Sequence, residues 1–167
     1  MDEGDESPLF LYLRMNQDKV KELLQEALQE NESLYLIDLQ FLANSKIKVI
    51  VDGDSGVPLS ECVRISRNIE HNLDREEEDF SLEVTTPDIS HPLTVKRQYK
   101  KNISRILKVK TATEEFEGTL TEATDDNITL FWKAREPKPI GKGKHTVEKT
   151  VTVSYQEIKE AKVKIIF

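Results

Sequence analysis

Apolar residues recur at helical spacing between about Gln17 and Gln29. Val20, Leu23, Leu24, Ala27 and Leu28 fall at i, i+3, i+4, i+7 and i+8, one stripe of a helix, and Asn31 is placed to end it. The period then drops to two. Tyr35, Ile37, Leu39 and Phe41 alternate with Leu36, Asp38 and Gln40, and Ile47, Val49 and Val51 alternate with Lys48 and Ile50. β-Branched and aromatic residues at this period predict two strands, and the short link Ala43-Asn44-Ser45 predicts a hairpin between them. Asp52 to Gly56 reads as a loop, after which Pro58 and Ser60 introduce a second helix with Ser60 as its N-cap. Cys62, Ile65, Ser66, Ile69 and Leu73 share the buried face of that helix. An acidic stretch, Asp74 to Asp79, leads to a third strand at Phe80, Leu82 and Val84. This order predicts an α+β, two-layer domain with two helices over one face of a small sheet.

The segment Thr85 to Leu93 has two prolines and no clear periodicity, which predicts a linker. A short helix is expected over Val95 to Lys101. The rest alternates as β, with strands predicted at Arg105–Thr111, Phe116–Thr121, Ile128–Trp132, Val147–Val153 and Ala161–Ile166. Short links at Glu114-Glu115 and Asp125-Asp126-Asn127 suit tight turns. Short strands in this number predict a small β-barrel of the SH3-like or Sm-like kind. Residues 133–146 hold two prolines, two glycines and many lysines, and read as a long, mobile, basic hairpin loop. The domain plan is a leader at 1–14 (a disordered tail or a misassigned start), an α+β domain at 15–86, a linker at 87–94 and a barrel at 95–167.

A length of 167 residues suits two compact domains with modest cores. There is no apolar run of about 18 residues, so no membrane-spanning helix is expected. The acidic N-terminus (Asp2, Glu3, Asp5, Glu6) has the wrong sign for a signal peptide. One cysteine, Cys62, precludes an internal disulfide and a cysteine-based metal site; an intracellular, reducing compartment fits. The net charge of −7 conceals an asymmetry. Residues 1–91 hold 8 Lys/Arg and 21 Asp/Glu, and residues 92–167 hold 16 Lys/Arg and 10 Asp/Glu. An anionic polymer attracts the second half and repels the first.

The search for catalytic chemistry returns no candidate. No Gly-rich phosphate loop is present. Asp52 to Gly56 lacks the spaced ligands and terminal glutamate of a calcium loop and reads as a strand-to-helix turn. His71, His91 and His145 have no His or Cys neighbour at metal-ligand spacing. Cys62 reads as a core residue, since a reactive thiol needs exposure and a nearby positive charge, and Ser66 reads as a small packing residue. No cofactor and no metal are expected. The positive signal is basic. Lys133, Arg135, Lys138, Lys142, Lys144 and Lys149 gather on one hairpin against only Glu136 and Glu148, and Lys96, Arg97, Lys100, Lys101 and Arg105 form a second group ahead of the β region. Lysines spaced by glycine and proline can follow a phosphate backbone, so both groups are candidates for contact with RNA or a ribonucleoprotein. Trp132 and Tyr99 flank them; base stacking is one role open to these rings, and a place in the core is the favoured one.

Three stretches resemble the bacterial ribosome maturation factor RimP family. Ile47 to Asp74 has a strand ending in Asp52, a loop with Gly56, and a helix carrying Cys62 and the Ser66-Arg67 pair. Leu82 to Leu93 matches a linker motif that in the family usually reads Leu-Glu-Val-Ser-Ser-Pro-Gly-Leu-Asp-Arg-Pro-Leu. This chain keeps Glu83, Val84, Pro87, Pro92 and Leu93, and departs at Thr85-Thr86, Asp88 and Ser90-His91. The third stretch comprises Phe116 to Leu120 and Val153 to Val163. The leader and the basic hairpin lie outside the resemblance.

The resemblance implies an α+β domain followed by an SH3-like barrel. It also implies non-catalytic, cytoplasmic work in maturation of the small ribosomal subunit, with a small-subunit ribosomal protein near the decoding region and rRNA as partners. A monomer is expected, as is no membrane association. The competing readings are a stand-alone RNA-binding or RNA-chaperone protein on an Sm-like barrel, which the acidic first half disfavours, and an enzyme with an unrecognised site.

Overall fold

The computed structural model describes residues 8–73 and 80–165, with side chains described from residue 17. The chain divides into two compact units, residues 1–87 and 88–167.

In the first unit, helix α1 (Pro8–Gln29) is followed by strands β1 (Leu34–Leu42) and β2 (Lys46–Gly53), helix α2 (Leu59–Glu70) and strand β3 (Ser81–Thr85). The sheet order is β1-β2-β3. β2 is central, antiparallel to β1 and parallel to β3, with α2 making the crossover that a parallel pair requires. The hairpin link places Asn44 and Ser45 at φ 62° and 58°, the left-handed conformation for which asparagine is well suited. Val20, Leu23, Leu24 and Ala27 of α1 and Ile65 and Ile69 of α2 pack with Val49 and Val51 in one buried cluster. Both helices therefore serve the same core, as the two periodicities require.

In the second unit, helix α3 (Lys96–Lys101) precedes strands β4 (Ile106–Thr111), β5 (Glu115–Ala123), β6 (Asn127–Pro137), β7 (Lys144–Ser154) and β8 (Ile158–Val163). They form an antiparallel sheet ordered β7-β6-β5-β4-β8. Leu107, Val109, Leu120, Ile128, Leu130, Val153 and Ala161 are buried together with Tyr99 of α3. Gly118 lets β5 and β6 approach closely, because a Cβ there would lie 2.8 Å from the Phe131 carbonyl oxygen. Buried Gln98 fixes the start of α3: its Oε1 accepts the backbone N–H of the N-cap residue Val95 (3.1 Å), a donor that a helix start leaves without an intrahelical partner, and that of the preceding Thr94 (2.8 Å).

Several expectations require correction. α1 begins at Pro8 rather than Gln17, so residues 8–14 of the expected leader are helical; the amphipathic stripe marks where a helix is buried, not where it starts. The N-cap of α2 is Pro58, with no side-chain cap bond, not Ser60. The last strand runs from Ile158 to Val163 rather than Ala161 to Ile166, since a one-turn 3-10 helix at Tyr155–Glu157 brings the chain back to β4 early. The acidic stretch 74–79 and Ile166 lie outside the described residues. Among the described residues β7 and β8 are the two edges of an open sheet, and no pairing between them closes the expected barrel.

The largest correction concerns residues 133–146. The β6–β7 ladder runs without interruption from Asn127↔Ser154 to Pro137↔Lys144, and only residues 138–143 lie between the strands. The charged run was read as a loop because it lacks apolar alternation. Burial does alternate along these strands between half-buried and exposed positions, but the half-buried positions include Glu136, His145 and Lys149, so hydropathy does not report it, and the ladder hydrogen bonds form regardless of side-chain polarity.

Candidate nucleic-acid interface

β5 pairs with β6 as far as Thr119↔Phe131, while the β6–β7 ladder continues from Trp132↔Lys149 to Pro137↔Lys144. Past Phe131 the hairpin is thus a two-stranded ribbon. Alternation along the strands divides it into two faces. Trp132, Ala134 and Glu136 lie opposite Lys149, Val147 and His145 and are half-buried. Lys133, Arg135 and Pro137 lie opposite Glu148, Thr146 and Lys144 and are exposed. Arg135 is held along the ribbon, its guanidinium donating to Thr146 Oγ1 and to the Lys144 carbonyl, both at 3.1 Å. On the inner face Lys149 pairs with Glu136 and holds that carboxyl below its usual range. The turn is closed by the Lys138 N–H donating to the Gly143 carbonyl at 3.1 Å. Gly141 and Gly143 stand at φ 89° and 92°, a conformation glycine adopts freely.

The outer-face cations Lys133, Arg135 and Lys144 and the turn cations Lys138 and Lys142 make no ion pair with any described residue. The base of the same sheet is different. Glu117 meets both Lys108 (3.9 Å) and Lys164 (3.4 Å), and Glu160 meets Lys162 (3.1 Å) and Lys110 (3.7 Å). In the second predicted group, Lys96 and Lys100 are also engaged. Lys96 and Lys100, one helical turn apart on α3, converge on the β5–β6 turn. Lys96 Nζ donates to the Asp125 carbonyl at 2.7 Å and sits over the Tyr155 ring. Lys100 Nζ pairs with the Asp125 carboxylate at 3.0 Å, which depresses the Asp125 pKa. Arg97 and Lys101 are half-buried, and Arg105 is exposed.

The two aromatic candidates are structural. Tyr99 is 4% exposed and packs edge-on against Tyr155, and burial pushes its hydroxyl pKa up to about 12. Trp132 is half-buried against the Phe116 ring. Cys62 is buried, and its thiol pKa is raised by that burial and then by Glu61.

The linker-motif residues separate. Glu83 lies on β3, 3.6 Å from Lys46. Pro87 ends the first unit. Leu93 belongs to the second unit, packing against its core and donating its N–H to the Ala161 carbonyl at 2.8 Å. Pro92 accepts through its carbonyl from His91 Nδ1 at 2.9 Å. The departures from the motif form a turn of their own. Asp88 Oδ1 accepts from the Ser90 N–H and hydroxyl, both at 2.8 Å, which lowers the Asp88 pKa. Sequence reading missed the Asp125 hub; the i, i+4 spacing of Lys96 and Lys100 and the acidic turn were both visible, but not their proximity.

The profile of the RimP N-terminal domain matches residues 23–90. A ribosome maturation factor RimP from Christiangramia forsetii is 55% identical over 153 residues, covering 92% of this chain and all of the relative. One from Flavobacterium psychrophilum is 53% identical over 150 residues, 90% of this chain and 97% of the relative. One from Cytophaga hutchinsonii is 28% identical over 160 residues, 89% of this chain and 96% of the relative.

Proposed function

The chain belongs to the ribosome maturation factor RimP family, and from that premise we propose that it acts by docking, without catalysis, on small ribosomal subunits during their assembly. Its role is in ribosome maturation. The observation that carries the docking reading is the opposite electrical character of the two folded units. Residues 1–87 hold 8 Lys/Arg against 20 Asp/Glu, and residues 88–167 hold 16 against 11. The basic unit is drawn to rRNA through the ribbon, whose outer-face cations are unpaired among the described residues while Lys96 and Lys100 of α3 are held by Asp125, and the acidic unit to a lysine- and arginine-rich ribosomal protein near the decoding region. Complementary fields of this kind speed encounter and fix orientation. The second unit serves as a barrel-like platform for these contacts, and the protein works in the cytoplasm as a monomer. Among the described residues no helix is long and apolar enough to cross a membrane.

Co-sedimentation of the full chain with immature small subunits across a salt series tests this. Association is expected to weaken steeply as salt rises. Association that is absent at physiological ionic strength, or indifferent to salt, contradicts it.

A further inference from the structure

The tip of the β6–β7 ribbon holds Ile140, which at 90% exposure is the most exposed large apolar side chain among the described residues. A single exposed isoleucine is ordinary. Its setting is not. It sits between Lys138 and Lys142, beyond the outer-face cations Lys133, Arg135 and Lys144, none of which has an ion-pair partner among the described residues. The ladder extends to Pro137↔Lys144, just below this tip. From Trp132 to Pro137 the strand rises about 3.4 Å per residue, so the tip stands roughly 17–20 Å beyond the last β5–β6 pair. The result is a narrow arm with an apolar point and a cationic collar.

We propose that the ribbon is an RNA-probing finger: the collar lysines lie on phosphates flanking a bulge or loop, and Ile140 packs against the unstacked base there. Cations two residues apart on a strand are about 7 Å apart and can engage successive phosphates of one backbone. Apolar side chains inserted against unstacked bases read local disorder in a nucleic acid, and single-stranded bulges are where proteins gain access to base faces. Assembling rRNA is rich in such sites, so the inference rests on the maturation reading. One isoleucine adds too little apolar area to anchor the chain on a lipid surface, and the carboxylate-poor collar is complementary to a polyanion rather than to a protein surface of mixed charge.

The test uses the full chain, a synthetic RNA hairpin with an internal bulge, and a fully paired RNA of the same length, with affinity measured by fluorescence anisotropy over a salt series. Wild type is expected to prefer the bulged RNA. Ile140→Ser is expected to weaken that complex about fivefold, leave the salt slope as in wild type and remove the preference. A Lys138→Gln, Lys142→Gln, Lys144→Gln variant is expected to lower the slope of log affinity against log salt by about 2. These exposed residues leave folding intact, which an unchanged thermal transition verifies. Unchanged affinity of Ile140→Ser for the bulged RNA overturns the finger, as does an unchanged salt slope in the triple variant. Loss by Ile140→Ser of binding to phosphatidylserine vesicles, with RNA binding intact, overturns it in favour of a membrane. If wild type sediments with immature subunits while Ile140→Ser binds bulged RNA normally, the finger alone fails; if wild type does not sediment, the maturation reading fails.

Discussion

The two ends of the β6–β7 hairpin are made from the same two strands and live in different chemical worlds. At the base, Ile128, Leu130 and Val153 are fully buried or nearly so and join the core of the second unit, and neighbouring strands carry lysines matched to glutamates. At the far end, Lys133, Arg135 and Lys144 face solvent with no ionic partner among the described residues. Burial holds the base, whereas the far end is held by the ladder, the Arg135 hydrogen bonds and the Glu136–Lys149 pair. The charge that a segment carries in sequence is therefore not the charge it offers to a partner: α3 and the ribbon are both lysine-rich, but Asp125 already occupies Lys96 and Lys100.

Substitutions can sharpen this contrast. Leu130→Ala, at the buried base, is expected to cost about 2–5 kcal/mol in stability, measured by urea denaturation. Lys133→Gln, three residues along the same strand, is expected to change stability by less than about 0.5 kcal/mol. A comparable loss at both positions breaks the division between base and tip. Gly118→Ala comes next, at about 1–3 kcal/mol, because its Cβ would press on the Phe131 carbonyl; an unchanged denaturation midpoint contradicts that packing. Gly141→Ala, at the tip, meets open space and carries only the backbone cost of φ 89°, about 1 kcal/mol. That loss is expected to appear as faster amide exchange in residues 138–143.

The smallest effect is a pH dependence away from the hairpin. Hydrogen bonds from Arg64 and then Asn31 hold the Glu61 carboxyl below its ordinary value of 4.5. A depressed carboxylate pKa stabilises the fold fully above the ordinary value, and that contribution fades as pH falls through the lowered one; Arg64 stays charged throughout. Denaturation midpoints of Glu61→Gln and wild type are therefore expected to converge as pH drops below about 4.5. A constant gap between them argues that the residue acts through packing instead.

Much of the first unit was legible because its periods are clean. The α1 stripe, the alternation in β1 and β2, and the Cys62–Ile65–Ile69 face of α2 each report burial on one side, and burial is what periodicity encodes. The ribbon escapes the same reading because its half-buried face mixes Trp132 and Ala134 with Glu136 and Lys149, so burial alternates there while hydropathy does not. Sheet order was beyond reach, since it depends on which edges meet, and five predicted strands are consistent with an open sheet or a closed one. The basic residues of the site were all visible in sequence, but their division into engaged and available groups was not. That division arises from the long-range approach of Asp125 to α3, 25 residues from Lys100.

The central claim is that the ribbon, rather than α3, presents the charge that meets the ribosomal particle. It is tested most directly by the salt dependence of sedimentation with immature small subunits for two variants, Lys133→Gln/Arg135→Gln/Lys142→Gln and Lys96→Gln/Lys100→Gln. The ribbon variant is expected to lose about one unit of slope per contact removed, while the α3 variant keeps nearly the wild-type slope. A wild-type slope in the ribbon variant together with a reduced slope in the α3 variant would contradict the account.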